Sequence, residues 1–219
     1  MANQEYIKRK QAQSNHFNVS GIEVWIKDPV TNNISVNTAI IELVSILPKK
    51  LLSNIDSVYI GDFEELNRRK IQALYKDSSI LVTNVQTSEE DLLDDLVHEV
   101  AHSVEEVYGV QIYSDQKIEK EFISKRKEMW VMLKNEGFEL ELQHFLDPEY
   151  NEAFDMFLYQ EVGYPLLSSI TTNLFYSPYG ATSLREYFAN GFEAFFLREE
   201  VSRLKAISPG LFKKISELV

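Results

Sequence analysis

The chain has 219 residues, of which 44% are apolar and 26% are charged, which is typical of a globular protein with a sizeable core. Its formal net charge of -12 opposes binding to phosphate backbones and anionic membranes, so we expect no nucleic-acid partner and no membrane partner. Because cysteine is absent, disulfides, thiolate metal sites and a cysteine nucleophile are excluded, and any metal must be bound by His, Asp or Glu.

Two observations bear on localisation. No stretch approaches the roughly 18 apolar residues that a membrane helix needs. The first 20 residues lack the continuous apolar segment of a secretory signal. We therefore expect a protein that is made in the cytoplasm, with delivery by a route that needs no signal as the alternative.

Before about residue 85, strand signals alternate with helical ones. The segment between two of the strands, 64–76, predicts a short helical turn and then a strand. The remaining predictions are a strand at 17–26 (FNVSGIEVWI), a helix at 36–47 that stops before a proline, and strands at 55–63 (IDSVYIGDF) and 78–84 (SSILVTN).

After residue 87 the chain is predicted to be almost wholly helical. Ser88 is followed by three acidic residues, a pattern that caps a helix and complements its dipole. An apolar stripe continues from there to Val107, and Gly109 is predicted to end this helix. Further helices are predicted at 114–135, 139–146, 149–161 and 182–199, with a last amphipathic segment at 208–219.

The first predicted helix of this part contains the sequence HEVAH. His98 and His102 are four residues apart, so on a helix both imidazoles project from one face and can bind one ion. Glu99 lies beside that face, where a carboxylate can act as a general base on metal-activated water. The alternative is that both histidines are half-buried packing residues.

A catalytic zinc site needs a third protein ligand. One class of such sites places a third histidine ten residues after the first, with a glycine between them. Here those positions are Tyr108 and Glu105, which excludes that class. The residues alone leave Glu186, Glu193 and, as a more remote candidate, His144.

The segment SPYGATSLREYFANGFEAFF at 177–196 is similar to the glutamate-ligand helix of the anthrax lethal factor-like metallopeptidases, which include the clostridial Pro-Pro endopeptidases. In that family the HExxH helix is followed by a tyrosine, six residues and the ligand glutamate. Here Tyr179 precedes Glu186 by the same spacing, and the similarity extends mainly over 75–110 and 175–219. The resemblance implies one zinc ion bound by His98, His102 and Glu186, with Glu99 as base and Tyr179 as hydrogen-bond donor to the oxyanion.

Two departures from the family pattern stand out. The second glutamate of the motif, which commonly orients a zinc-bound histidine, is Asn190 here, and Glu193 is a candidate substitute. His102 and Glu186 are also separated by 84 positions, longer than expected, which places an insertion at 112–165. We expect the insertion to be either a lid or wall of the substrate cleft, or a packing segment without substrate contact.

The resemblance implies an α+β, zincin-like metallopeptidase domain spanning 1–219. It has a small twisted N-terminal sheet with the active-site helix, and a mainly helical C-terminal part. Its parts are an N-terminal α/β part at about 15–110, the helical insertion at about 112–165, and the ligand helix and tail at about 175–219. The expected function is that of a gluzincin-type zinc metalloendopeptidase. The acidic chain predicts a preference for peptides with basic residues near the cleaved bond.

Several alternatives accompany this hypothesis. Asp94 or Asp95 could be a hydrogen-bond partner of His98, or both could simply form a solvated helix start. The strand at 78–84 is similar to the edge strand along which zincins bind extended substrates, and the alternative is an interior strand. The protein could also be a non-proteolytic zinc-binding accessory protein, for example of a bacteriophage, or a toxin-like effector that acts in another cell.

Overall fold

The computed structural model describes residues 15–197 and 201–219. Most of the N-terminal segment in which we find no secretory signal, and the last two residues of the helix predicted at 182–199, therefore lie outside the described residues. The chain forms two compact units, Met1–Val107 and Tyr108–Val219, whose boundary falls within one long helix. In the described part of the chain, no helix is both long and apolar enough to cross a membrane.

The first unit is built on a mixed five-stranded sheet with the strand order β1-β2-β3-β5-β4. The three middle strands are parallel, and the two outer strands pair antiparallel with their neighbours. The strands are β1 (His16–Val19), β2 (Ile22–Ile26), β3 (Ser57–Gly61), β4 (Ala73–Lys76) and β5 (Ser79–Thr83).

One face of this sheet forms the core of the first unit. Val24, Val58 and Ile80 are fully buried, whereas Trp25 on the opposite face is 40% exposed, because successive side chains of a strand alternate between faces. The helices that begin in this unit are α1 (Val36–Ile46), α2 (Glu64–Arg69) and α3 (Glu89–Tyr113). Apolar side chains of α1 and α3 are buried as completely as those of the sheet.

The second unit is helical. Its longest helix, α4 (Lys117–Asn135), contributes the buried Phe122, Met129 and Leu133 to an aromatic-rich core. A π-helical segment at Phe157–Val162 and a 3-10 turn at Tyr179–Ala181 connect the shorter helices. Those helices are α5 (Gln143–Leu146), α6 (Glu152–Met156), α7 (Tyr164–Thr171), α8 (Leu184–Phe196), α9 (Val201–Ile207) and α10 (Pro209–Leu218).

The α+β class predicted from the sequence is confirmed, and so are most strands of the first unit, but the strand predicted at 17–26 is wrong. It is a hairpin of β1 and β2 in which Val19 pairs with Ile22. Ser20 and Gly21 between them have φ angles of 56° and 99°, the left-handed pair that a two-residue hairpin turn requires. The short Ser-Gly sequence therefore reverses the chain where its apolar neighbours suggest continuity.

The end predicted for the histidine-bearing helix is also wrong, because α3 continues past Gly109 to Tyr113. Ile112 is fully buried, and the ring of Tyr113 lies 6.3 Å from that of Phe188. Packing of this last turn outweighs the roughly 1 kcal/mol that an interior glycine costs a helix.

Two helices of the predicted insertion begin later than expected. The residues before α5 are not helical, and the carbonyl of Leu140 accepts a hydrogen bond from the indole N–H of Trp130. The residues before α6 form turns in which the side chains of Asp147 and Asn151 accept hydrogen bonds from the main chain. Aspartate and asparagine compete with the helix for main-chain donors in this way.

The strand at 78–84 corresponds to β5, which lies between β3 and β4. The prediction that it is the edge strand is therefore wrong, and the interior alternative is correct. The antiparallel edge on this side is β4.

Two helical glycines provide a test of how α8 packs. A Cβ atom on Gly191 would lie 2.3 Å from Leu211 Cδ2, whereas a Cβ atom on Gly109 would meet nothing within 4 Å. Gly191→Ala should therefore lower the free energy of unfolding by about 1–3 kcal/mol, as overpacking does. Gly109→Ala should raise it by roughly 0.5–1 kcal/mol. Urea unfolding of both variants measures this difference, and equal effects would contradict the close approach of Leu211 to α8.

Candidate metal centre

The two histidines of the HEVAH sequence lie on α3, one turn apart. Their ring centroids are 4.9 Å apart at an interplanar angle of 77°, and both side chains are half-buried. The neighbouring Val97, Val100 and Ala101 are fully buried, so this part of the helix is fixed in rotation. Both imidazoles therefore project from the less buried side of the helix, as their spacing predicts.

Glu186 lies in the first turn of α8. The hydroxyl of Ser183 caps this helix by accepting a hydrogen bond from the Glu186 main-chain N–H at 3.2 Å. One ligand atom from each of His98, His102 and Glu186 lies within 4.8 Å of the other two. The structure thus brings together the three residues predicted as ligands.

This group suits a metal ion in donor type and in spacing. It offers two imidazole nitrogens and one carboxylate oxygen, and in a tetrahedral site with bonds of about 2.1 Å the ligand atoms lie about 3.4 Å apart. The upper limit of 4.8 Å observed here is somewhat wider than that distance. Neither Glu193 nor His144, the other candidates, belongs to the group.

Glu105 is a partner of the centre that the sequence analysis did not identify. Its carboxylate lies 2.7 Å from Nδ1 of His102, and its side chain is only 5% exposed. A buried carboxylate in this position fixes the orientation of a ligating imidazole. The i, i+3 spacing from His102 was a usable signal, because such pairs are neighbours on a helix.

Glu99, the predicted general base, is buried with 6% exposure. Its Oε2 accepts a hydrogen bond from the main-chain N–H of Tyr75 on β4. The phenol of Tyr75 donates to Glu106, and burial, followed by that carboxylate, raises the pKa of Tyr75 to about 12. Tyr75 therefore holds α3 at two points and remains a neutral donor at physiological pH.

Tyr179 begins the 3-10 turn that precedes α8, and its side chain is half-buried. Burial, followed by the charge of Glu186, raises the pKa of its phenol well above the ordinary value. A phenol in this state keeps its proton and can donate it in a hydrogen bond, which is the property an oxyanion donor needs.

Asn190 supports this turn. Its side-chain oxygen accepts a hydrogen bond from the Ser177 hydroxyl. A Cβ atom on Gly180 would lie 2.8 Å from that oxygen, so only glycine fits there without displacement. The carboxylate that contacts His102 in the structure is that of Glu105, whereas Glu193 was the candidate substitute for the family glutamate.

The predicted insertion contributes a carboxyl group and two phenols near the ligand helix. The hydroxyl of Tyr150 donates to Asp155 Oδ2 at 3.0 Å. Burial raises the pKa of Asp155, and the negative charge of Glu186 raises it further. Burial and the charge of Asp155 also raise the pKa of Tyr164 to about 12. A main-chain hydrogen bond of 2.8 Å from the Leu184 N–H to the Pro148 carbonyl places this half of the insertion beside the start of α8.

The structure gives a hydrogen-bond partner for Asp95, one of the two aspartates considered above as partners of His98. Asp95 Oδ2 accepts a hydrogen bond from the side-chain amide of the buried Gln86 at 3.0 Å. This contact fixes the start of α3 to the segment that follows β5. A hydrogen bond from His98 to Asp94 or Asp95 stays a prediction.

His144 lies at a different place in the second unit. Together with Arg126, Gln143, Asn151 and Phe154 it lines a cavity of about 280 Å³. Neither Tyr179 nor Glu186 lines this cavity, so its size is no evidence for the metal centre.

The contact between Glu105 and His102 predicts a specific loss of metal affinity. Glu105→Gln should weaken zinc binding by about 10–100-fold, because the imidazole loses its charged partner. Glu90→Gln on the same helix is the matched control, since Glu90 is exposed in its first turn, about two turns before His98. Competition with a chromogenic chelator measures both affinities. A Glu105→Gln protein that binds zinc like the wild type would contradict this role.

The raised pKa of Asp155 predicts a pH-dependent stability. The folded protein binds this proton more tightly than the unfolded chain, so the stabilisation is complete below the ordinary pKa of 3.8 and is lost as the pH rises through the raised value. Asp155→Asn should therefore be more stable than the wild type at pH 7, with a difference that shrinks toward about pH 4. Urea unfolding across this range tests it, with Glu152→Gln on the same helix as control.

Comparison of the chain with protein-family models, with curated proteins and with solved structures found no match. The functional assignment therefore depends on the chemistry and geometry of this centre.

Proposed function

We propose that the protein is a zinc-dependent metalloendopeptidase. The observation that carries this proposal is the grouping of His98, His102 and Glu186, three residues distant in sequence, with ligand atoms within 4.8 Å of one another. Zinc is the metal that two imidazoles and one carboxylate favour, with a further position left for water. The resemblance to lethal factor-like peptidases supports the same ligands.

The surrounding residues support a catalytic site over a purely structural one. A structural zinc site needs no acid-base residue, yet Glu99 adjoins the first ligand and Tyr179 precedes the third. When bound, zinc would polarise the scissile carbonyl and lower the pKa of a coordinated water molecule. Glu99 would accept the proton released by the attacking water and pass it to the leaving amine.

Tyr179 would stabilise the negative charge that develops on the carbonyl oxygen. Its phenol keeps its proton because burial and the charge of Glu186 disfavour the phenolate. The turn that carries it is fixed, since Thr182 donates to the Tyr179 carbonyl from both its main-chain N–H and its hydroxyl. A donor held in place before reaction costs no reorganisation as the charge forms.

The proposed substrates are peptides or proteins, with a preference for basic residues near the cleaved bond. The net charge of -12 supports this preference. The carboxyl groups of Asp155 and Glu186 also place negative charge near Tyr179.

The decisive experiment compares wild type with Glu99→Gln on a proteome-derived peptide library read by mass spectrometry, with the zinc content of both proteins measured. Glutamine keeps an acceptor for the Tyr75 N–H but cannot take up a proton. We expect both proteins to bind zinc and only the wild type to cut. If both bind zinc and neither cuts, the zinc-binding accessory protein becomes the better hypothesis, and cuts no less frequent beside acidic residues would refute the basic preference.

Tyr179→Phe tests the oxyanion role separately. Removal of one such donor lowers kcat by about 10²–10³-fold, and we expect the KM to change little. Tyr159→Phe is the matched control, since Tyr159 is 59% exposed and precedes no ligand. Equal activity of the two variants on a peptide identified in the library would rule out this role for Tyr179.

A further inference from the structure

Arg126 is a buried cation on α4 that the function proposed above does not use. Its side chain is 1% exposed, and burial lowers its pKa to about 10. Removal of a guanidinium from water costs several kcal/mol unless its donors are satisfied. Nearby groups must therefore offset the cost of burying the guanidinium. These groups indicate which chain segments the Arg126 side chain holds in place.

The compensation comes from main-chain oxygens, aromatic rings and the negative charge of Asp147, while Nε has no hydrogen-bond partner among the described residues. Among the described residues, the acceptors of its hydrogen bonds are the carbonyls of His144, Asp147 and Thr182. The guanidinium carbon also lies 4.2 Å from the ring centroid of Phe154. The planar fork of arginine suits this arrangement because it donates in several fixed directions at once.

These carbonyls belong to two separate segments. His144 and Asp147 lie in the predicted insertion, whereas Thr182 immediately precedes the cap of α8. A main-chain hydrogen bond of 2.8 Å from Leu184 to Pro148 joins the same two segments. Arg126 therefore fixes the insertion to the start of the ligand helix.

Thr182 lies midway between two residues of the proposed site. It donates twice to the Tyr179 carbonyl, three residues before it, and Glu186 follows it in the capped first turn of α8. Ser177 and Asn190 hold the other end of this turn. A displacement of the Thr182 carbonyl, which Arg126 binds, would therefore move both Tyr179 and Glu186.

We propose that Arg126 is a positioning residue that sets the placement of Tyr179 and Glu186 by binding the Thr182 carbonyl and the 144–147 main chain together. This inference deepens the proposed peptidase function and rests on it for the roles of Tyr179 and Glu186. The loss of Arg126 should loosen the segments 144–148 and 177–187 and weaken zinc binding while the rest of the second unit keeps its fold.

The chain offers a matched control in the adjacent residue. Lys125 is also a buried cation on α4, and it donates to two main-chain carbonyls, those of Leu174 and Ile207. Neither carbonyl belongs to the segment 177–187, where the one recorded contact of Lys125 among the described residues is with the ring of Tyr187, 5.7 Å from its ammonium. Lys125→Met and Arg126→Met therefore each remove a buried cation that donates hydrogen bonds to main-chain carbonyls. Only Arg126→Met removes the hydrogen bond to the Thr182 carbonyl.

The experiment is hydrogen exchange read by mass spectrometry on full-length wild type, Arg126→Met and Lys125→Met, with zinc affinity measured on each by chelator competition. We expect faster exchange in 177–187 and about tenfold weaker zinc binding for Arg126→Met only. Lys125→Met should change exchange near 174 and 207 and leave zinc affinity within about twofold. Equal exchange of 177–187 in the two variants, or no change in Arg126→Met, would overturn the proposal.

Arg126→Lys keeps the test valid if the methionine variant does not fold. A single ammonium retains the charge but lacks the fork, so we expect increased exchange confined to 144–148 and 177–187, and a zinc affinity between those of wild type and Arg126→Met. Unchanged exchange in Arg126→Lys would count against the proposal. Exchange needs no zinc, so wild type that binds no zinc would refute the proposed function while the exchange data still decide the role of Arg126.

Discussion

The candidate metal centre depends on the rotation of α3 about its own axis. The imidazoles of His98 and His102 meet because four residues make slightly more than one helical turn, and a rotation by a single residue, about 100°, would direct them elsewhere. Tyr75 fixes this rotation from β4, since its main-chain N–H binds Glu99 and its phenol binds Glu106, seven residues further along the helix. Together with the buried apolar stripe, these two contacts hold the helix against the sheet.

In the second unit, α4 holds several chain segments in place through the hydrogen bonds of its side chains. Glu121 accepts hydrogen bonds from Tyr187 and from the first main-chain N–H groups of α10, where a carboxylate complements the helix dipole. Lys125 and Arg126 donate to carbonyls of the loops around them. One helix thus satisfies donors and acceptors of several chain segments. The short helices of this unit, too brief to be stable alone, depend on such contacts.

The parts of the centre that could be predicted from the sequence are those encoded locally. The spacing of the histidines, the cap at Ser88 and the separation of Tyr179 from Glu186 are properties of short segments, and the structure brings the three predicted ligands together. The hairpin at Ser20 was missed because its flanking residues are uniformly strand-like. The continuation of α3 past Gly109 was missed because it depends on packing of a later turn against Phe188.

The residues that support the candidate centre were harder to predict from the sequence, for a physical reason. Asn190 was compared with a family glutamate, but its partner is a serine thirteen residues earlier, which a motif does not reveal. Arg126 and Asp155 carry no recognised sequence signal: the partners of Arg126 are main-chain carbonyls of distant residues, and the phenol bonded to Asp155 belongs to no motif. A buried polar side chain is defined by what it satisfies, and that is known only once the chain is folded.

The contact between Glu99 and Tyr75 also bears on the solubility of the folded chain. In the ladder with β5, the carbonyl of Gln72 accepts from Thr83, and because antiparallel pairs alternate, the N–H of Tyr75 is directed away from that partner strand. An outward N–H on an edge strand is a template for pairing with a second molecule. Here the carboxylate of Glu99 already occupies it, and the exposed charge of Lys76 follows at the next position. The residue that we propose for proton transfer thus also protects the sheet from edge-to-edge aggregation.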